Sequence, residues 1–247
     1  MLHSYCSGAI FGQPRGEAPF GALALHGWSR DHHDFDQLFL DEPPSGLSAL
    51  AIDLPGFGAS PPPETAWGSA EYAEALTGLF DLLVARPILI GHSFGGRVAL
   101  QFAARYPDRI GGLVLGGVPL VTNPAPSRTP RGFRVVKTLA RHRLVAPQVL
   151  ERARRRYGSS DYLAAEGVMR EVLVRSVNEQ YEPLMSKVTT HVELVLGAND
   201  TAAPVALERR AVEFFRDVNL TVVEHIGHMI PLEAPQELRM AVERCLT

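Results

Sequence analysis

Residues 91–95 read Gly-His-Ser-Phe-Gly, and their flanks limit the fold more than any other feature of the chain. An apolar run, Pro87-Ile88-Leu89-Ile90, leads in. A segment with Val98, Phe102 and Tyr106 at near-helical spacing leads out and ends at Pro107. A buried strand therefore feeds a helix through a G-x-S-x-G turn. Glycines on both sides of the serine are needed where a Cβ would strike neighbouring backbone. The tight, strained turn lifts the serine hydroxyl above the sheet, and the helix N-terminus presents amide N–H groups to a reacting oxygen.

The rest of the chain repeats the same alternation, short apolar runs followed by helix-period segments, which predicts an α/β fold with a mostly parallel sheet. Gly21–Leu25 reads as a strand stopping at His26-Gly27, and Leu50–Ile52 as one stopping at Asp53. Ser69 reads as the N-cap of a helix carrying Tyr72, Leu76, Leu79, Phe80 and Leu83 on one face. Leu113–Leu115 and Val192–Leu196 read as strands, as does Leu220–Val223. Helices are expected near Pro204–Phe215 and over Pro235–Leu246. Between about Leu120 and Val188 no strand pattern appears. Helix-like stretches start near Pro147 and after Ser160, where Tyr162, Ala165, Met169, Leu173 and Ser176 share a face. The expected organisation is a core of residues 1–119 and 189–247, with a helical insertion over 120–188.

At 247 residues the chain is long enough to bury a core without disulfides. Its two cysteines, Cys6 and Cys245, are read as free thiols of a cytoplasmic protein. No apolar run approaches the roughly 18–20 residues of a membrane helix, and the first residues do not resemble a secretory leader. A net charge of −3 does not favour nucleic acid. Nothing in the sequence specifies an oligomer.

A serine hydroxyl needs a base to attack a carbonyl. His228, in Gly227-His228-Met229, follows the last strand and precedes the last helix, on the sheet edge where α/β folds bind ligands. It is preferred to His225, which falls at the strand end. Asp200 follows Val192–Leu196 through Gly197-Ala198-Asn199, placing a carboxylate at the same edge to hold the imidazole. The chain order is then Ser93, Asp200, His228. Oxyanion donors are expected from the backbone N–H groups of Phe94 and of Trp28, after the His26-Gly27 turn. Trp28, Phe94 and Met229 are the candidate substrate contacts. Asp53, which precedes the serine, is read as fixing a loop. His26 and His92 are read as structural, His32 and His33 as solvated. There is no metal-ligand spacing and no phosphate-loop or dinucleotide pattern, so no metal or organic cofactor is expected.

The stretches His26-Gly27-Trp28, Asp53–Ser60, Gly91–Gly96, Gly197–Asp200, Gly227-His228 and Glu233-Ala234-Pro235 together resemble the α/β-hydrolase superfamily, in its group of small, lidded, serine esterase-like hydrolases. The resemblance spans nearly the whole chain. It implies an eight-stranded, mostly parallel sheet with a cap between strands six and seven, with Ser93 as nucleophile, Asp200 as acid and His228 as base. It implies a carboxylic ester of small or medium acyl size as substrate. The same scaffold also hosts C–C bond hydrolysis, lyase and perhydrolase chemistry, and slow-turnover ligand receptors. The start departs from the pattern: only about twenty residues precede the His-Gly strand, so the first two strands are expected to be short.

The insertion has its own character. From Arg128 to Arg156 it carries ten basic residues, Arg128, Arg131, Arg134, Lys137, Arg141, Arg143, Arg152, Arg154, Arg155 and Arg156, against one acid, Glu151. A charge of that sign suits a substrate with an anionic end, or a solvated helix face paired with acidic surface elsewhere. Its apolar residues, among them Val135, Leu144, Val149, Met169, Val172 and Leu173, are expected to pack on the body of the protein.

Overall fold

The computed structural model describes residues 1–39, 44–122, 131–142, 144–157 and 160–246. Eight strands form one sheet: β1 (His3–Tyr5), β2 (Ile10–Arg15), β3 (Phe20–Leu25), β4 (Ala49–Asp53), β5 (Leu83–His92), β6 (Gly112–Gly116), β7 (His191–Gly197) and β8 (Val218–Val223). Their order is β1-β2-β4-β3-β5-β6-β7-β8. The β1–β2 and β2–β4 pairs are antiparallel, and every later pair is parallel. Of the two strands expected to be short, β1 has three residues, but β2 has six, as many as β3.

Side-chain alternation divides the parallel strands between two cores. Leu23, Leu25, Leu50, Ile52, Leu89, Leu113 and Leu115 share one cluster with Tyr72, Leu76, Leu79, Val98 and Phe102. Ala22, Ala24, Ala49, Ala51, Ile88, Ile90, Val114 and Val195 share another with Phe35, Leu38, Phe39, Leu238, Ala241 and Val242. Small residues on this second face let its helices sit close to the sheet.

Among the described residues the helices are α1 (Asp36–Phe39), α2 (Ser69–Ala75), α3 (Phe94–Arg105), α4 (Arg131–Arg141), α5 (Pro147–Tyr157), α6 (Ser160–Ala164), α7 (Gly167–Ser176), α8 (Glu182–Met185), α9 (Val205–Glu208), α10 (Ile230–Glu233) and α11 (Pro235–Arg244). None is long and apolar enough to cross a membrane. Cys6 and Cys245 are not bridged.

Four local expectations change. Ser69 is the first residue of α2 rather than its cap. Gly68 caps it, with its N–H on Glu71, while the Ser69 N–H and hydroxyl go to Glu179. The helix tightens into a 3₁₀ segment over Leu76–Leu82, so Leu83 starts β5 instead of completing a helical face. The face carrying Tyr162 to Ser176 is split between α6 and α7 by Gly167, at φ +50°, although Tyr162, Ala165, Leu173 and Ser176 remain buried. Finally, Val172 and Leu173 are buried, but Val135 on α4, Leu144 just after it and Val149 on α5 are exposed.

Between β6 and β7 the described chain contains only α4 to α8 and loops. The segment leaves the sheet through Leu120 and Val121, whose backbone N–H groups donate to Glu208 at 2.9 and 3.3 Å. Glu208 is buried, its other carboxyl oxygen has no partner among the described residues, and burial raises its pKa from the usual 4.5 to about 7 against the pull of those N–H groups. The native carboxyl therefore keeps its proton over a pH range in which the unfolded chain has lost it, and stability falls as pH rises through that window. Glu208→Gln is expected to remove this slope. Relative to the parent, the variant gains about 1–3 kcal/mol between pH 5 and pH 8, read as several degrees in thermal midpoint. Parallel midpoint-versus-pH curves for the two proteins would refute it.

Candidate active site

Parallel pairing puts the C-terminal ends of β3, β5, β6, β7 and β8 on one edge: Leu25 pairs with Gly91, His92 with Gly116, Gly116 with Val195 and Gly197 with Val223. Ser93, Asp200 and His228 each lie just past one of those ends. A sequence separation of 135 residues between the serine and the histidine is thereby closed to a contact.

Ser93 joins β5 to α3 with φ 48° and ψ −111°, the left-handed region a non-glycine residue rarely adopts. Its N–H donates to the Gly116 carbonyl at 3.1 Å, tying the turn to the next strand. Gly95 must be glycine, since a Cβ there would overlap the Leu25 carbonyl oxygen. Gly117, at φ +57°, passes beneath the histidine loop, where a Cβ would lie 2.9 Å from the His228 carbonyl oxygen.

His228 Nε2 is 3.0 Å from Ser93 Oγ, and its Nδ1 is 2.7 Å from Asp200 Oδ2. Asp200 Oδ1 accepts the N–H groups of Ala202 and Ala203 at 2.7 and 2.9 Å. Burial pushes the Asp200 carboxyl up, but the bond from His228 and these two amides outweigh it and hold its pKa below the usual carboxylate range. The carboxylate stays ionised and fixed in orientation. His225 is exposed, on the turn after β8.

The backbone N–H groups of Trp28 and Phe94 donate to no acceptor among the described residues. The Trp28 ring packs edge-on to Phe57 and Phe94, at 4.9 and 5.5 Å between centroids. From the segment between β6 and β7, Tyr162, Ala165 and Leu173 form a cluster against Trp28, and Met169 presses on Gly56. Trp28, Phe57 and Phe94, the last next to Ser93 in the chain, thus form an aromatic wall, and residues of α6 and α7 pack against Trp28. Phe57 belongs to that wall, although the sequence marks it only as part of a loop. Met229 is half-buried, and its N–H donates to Glu233 at 3.1 Å, anchoring the turn behind His228.

Asp53 braces a loop, as expected. It accepts the Ala59 N–H, the His32 N–H and His32 Nδ1 at 2.8, 2.8 and 2.7 Å. His32 is thus buried, a correction to its solvated reading, because the Asp53 carboxylate draws the ring inward. His33 is exposed, with Nδ1 on Asp36 at 2.8 Å. Together with Asp31 these two histidines are the metal-ligand types that cluster among the described residues, and each histidine already commits one nitrogen to a carboxylate. His26 is fully buried, bonding to the Gly27 carbonyl at 2.7 Å and accepting the Leu54 N–H at 2.9 Å.

Of the basic stretch, Arg128, Arg143 and the side chains of Arg131, Arg134, Lys137 and Arg141 lie outside the described residues. A cleft of about 570 Å³ is lined in part by Arg154, Arg170, Arg175, Glu151 and Tyr162, but not by Ser93, Asp200 or His228. Glu151 pairs with Arg170 at 3.0 Å, and Glu71 pairs with Arg175.

The pattern of an alpha/beta hydrolase family matches residues 22–241. A 2-hydroxy-6-oxononadienedioate/2-hydroxy-6-oxononatrienedioate hydrolase of a Pseudomonas species is 28% identical over 87% of this chain and 81% of its own. A pimeloyl-[acyl-carrier protein] methyl ester esterase of Aromatoleum aromaticum is 27% identical over 90% of this chain and 96% of its own. Among solved structures, an esterase from Thermogutta terrifontis superposes with a TM-score of 0.70 at 20% identity, covering 100% of this chain and 97% of that one. A meta-cleavage product hydrolase from Pseudomonas fluorescens gives a TM-score of 0.71 at 16% identity, with the same two coverages. Both similarities concern the fold. The strand order, the strained serine turn and the family match over residues 22–241 agree, and the chain belongs to the alpha/beta hydrolase family.

Proposed function

We propose that this protein is a serine hydrolase that cleaves a carboxylic ester of small or medium acyl size. The observation that carries the reading is the hydrogen-bonded chain from Asp200 through His228 to Ser93. In it, Ser93 Oγ attacks the ester carbonyl as His228 Nε2 takes its proton. The carbonyl oxygen, now negative, is met by the N–H groups of Trp28 and Phe94, which are free to receive it. His228 then returns the proton to the departing alcohol, leaving an acyl group on Ser93. Water, deprotonated by the same imidazole, releases the acid. Asp200 keeps the hydrogen on Nδ1, so that Nε2 is an acceptor when Ser93 needs one, and stabilises the imidazolium. Trp28, Phe94 and Met229 contact the acyl group, under the cap that residues 120–188 provide.

The relative with an esterase name supports this reading, and the dienedioate hydrolase supports a second one, hydrolysis of a C–C bond beside a ketone with the same three residues. A p-nitrophenyl ester series from acetate to dodecanoate separates them. Saturable hydrolysis peaking at a short or medium chain is expected, and the peak measures the room under the cap. No turnover of any ester, together with cleavage of a 2-hydroxy-6-oxo-dienoate, would overturn the ester reading in favour of the second.

A further inference from the structure

His92 precedes the serine in the turn, is 2% exposed, and touches both sides of the site. Its ring lies against Gly27, where an added Cβ would come within 2.8 Å of Nδ1, so it packs under the turn that leads to the Trp28 N–H. Its Nε2 is 2.9 Å from the backbone carbonyl oxygen of His228. A carbonyl only accepts, so Nε2 carries the hydrogen and, in the neutral ring, Nδ1 is a bare lone pair.

What faces that lone pair is unusual. Asp34 Oδ2 is 4.0 Å away, and neither it nor His92 Nδ1 has a hydrogen-bond partner among the described residues. Asp34 is itself 1% exposed. Arg30 takes the other oxygen, Oδ1, through Nε at 2.8 Å and through a second guanidinium nitrogen. The single ring hydrogen of His92 thus has two possible acceptors, and the distances give it to His228. A second proton on the ring would complete a pair with Asp34. It would also place a cation beside His228, whose ring centroid is 5.1 Å away and which must itself become positive in the reaction. Burial opposes that second proton first, lowering the pKa of His92 to about 4.

We infer that His92 is a positioning residue for the base: its Nε2–H, donated to the His228 carbonyl while Asp34 stands beyond bonding range of Nδ1, fixes the loop carrying His228 at its distance from Ser93. The inference rests on the proposed roles of Ser93 and His228. The loop has other anchors, the Ile230 N–H on the same carbonyl at 2.9 Å and Glu233 accepting the Gly227 N–H at 2.8 Å, so loss of the His92 bond loosens the loop without unfolding it. Small misplacements of a catalytic group cost large factors in rate.

The test is the rate at which a fluorophosphonate labels Ser93, which needs the base but no knowledge of the natural substrate. His92→Phe keeps a buried ring and loses the donor. His92→Gln keeps an N–H at the reach of Nε2 and cannot become an imidazolium. Thermal midpoints confirm that both variants are folded. Labelling at least tenfold slower in His92→Phe, restored to within about threefold of the parent in His92→Gln, is the expected result. Equal rates for the parent and His92→Phe would overturn the inference. So would equal slowing in both folded variants, which would make the ring's packing, not its hydrogen bond, the operative feature. A parent protein that resists the probe would overturn the reading of Ser93 itself, and this inference with it.

Discussion

Replacing Ser93 with alanine is expected to lower ester turnover by about four to six orders of magnitude, with the fold intact. The variant loses one oxygen and one hydrogen bond, the 3.0 Å contact to His228. The backbone of the turn is held by other means, the Ser93 N–H on Gly116 and the Gly95 N–H on the His26 carbonyl. Stability should therefore change little, while the proposed chemistry loses the atom that would form the acyl-enzyme. The check is steady-state hydrolysis of the best p-nitrophenyl ester, paired with the mass gained on fluorophosphonate treatment. The parent should gain one adduct and the variant none. Turnover retained by a verified variant would show that another group attacks the carbonyl.

Asp200→Asn should cost about 10³- to 10⁴-fold in kcat, again without unfolding. The reason lies in what each carboxylate oxygen does. Oδ1 accepts two backbone N–H groups, from Ala202 and Ala203, so the asparagine carbonyl must occupy that position. The amide nitrogen then falls where Oδ2 stood, 2.7 Å from His228 Nδ1, and it can only donate. The imidazole is driven to the opposite tautomer, with its hydrogen on Nε2 and aimed at Ser93, so it can no longer accept the hydroxyl proton. Asp200→Ala should behave differently, because it orphans the two amides as well and adds a stability loss of about 1–3 kcal/mol. Comparing kcat and thermal midpoint for the two variants separates orientation of the base from bracing of the loop. An asparagine variant with near-parental kcat would remove Asp200 from the mechanism.

Much of this was legible in one dimension because the signals are local. A glycine-flanked serine between an apolar run and a helical period specifies its own turn, since the clash a side chain would cause at Gly95 is with backbone that the strand pairing must place there. The runs that make β3 to β7 are apolar because a parallel sheet covered on both faces leaves no wet side, and a histidine and an aspartate each just past such a run must reach the same edge. The start of α2 was less legible, because its cap is a glycine whose partner is Glu71 and because Ser69 is claimed by Glu179, which lies 110 residues away. The same holds for Val135, Leu144 and Val149, which stay exposed, since an apolar position in a sequence does not say whether any other surface will cover it.

Periodicity and steric demands act between residues close in the chain, so the fold class and the candidates Ser93, Asp200 and His228 could be read from one dimension. Which buried polar groups face one another depends on contacts across the fold. The 4.0 Å gap between Asp34 and His92, the Glu208 oxygen without a partner among the described residues, the inward turn of His32 and the Phe57 face of the aromatic wall arise where loops from different strands converge. Hydrogen bonds and ring contacts are short-ranged and directional, and a spacing along the chain holds no record of a distance that the sheet alone sets.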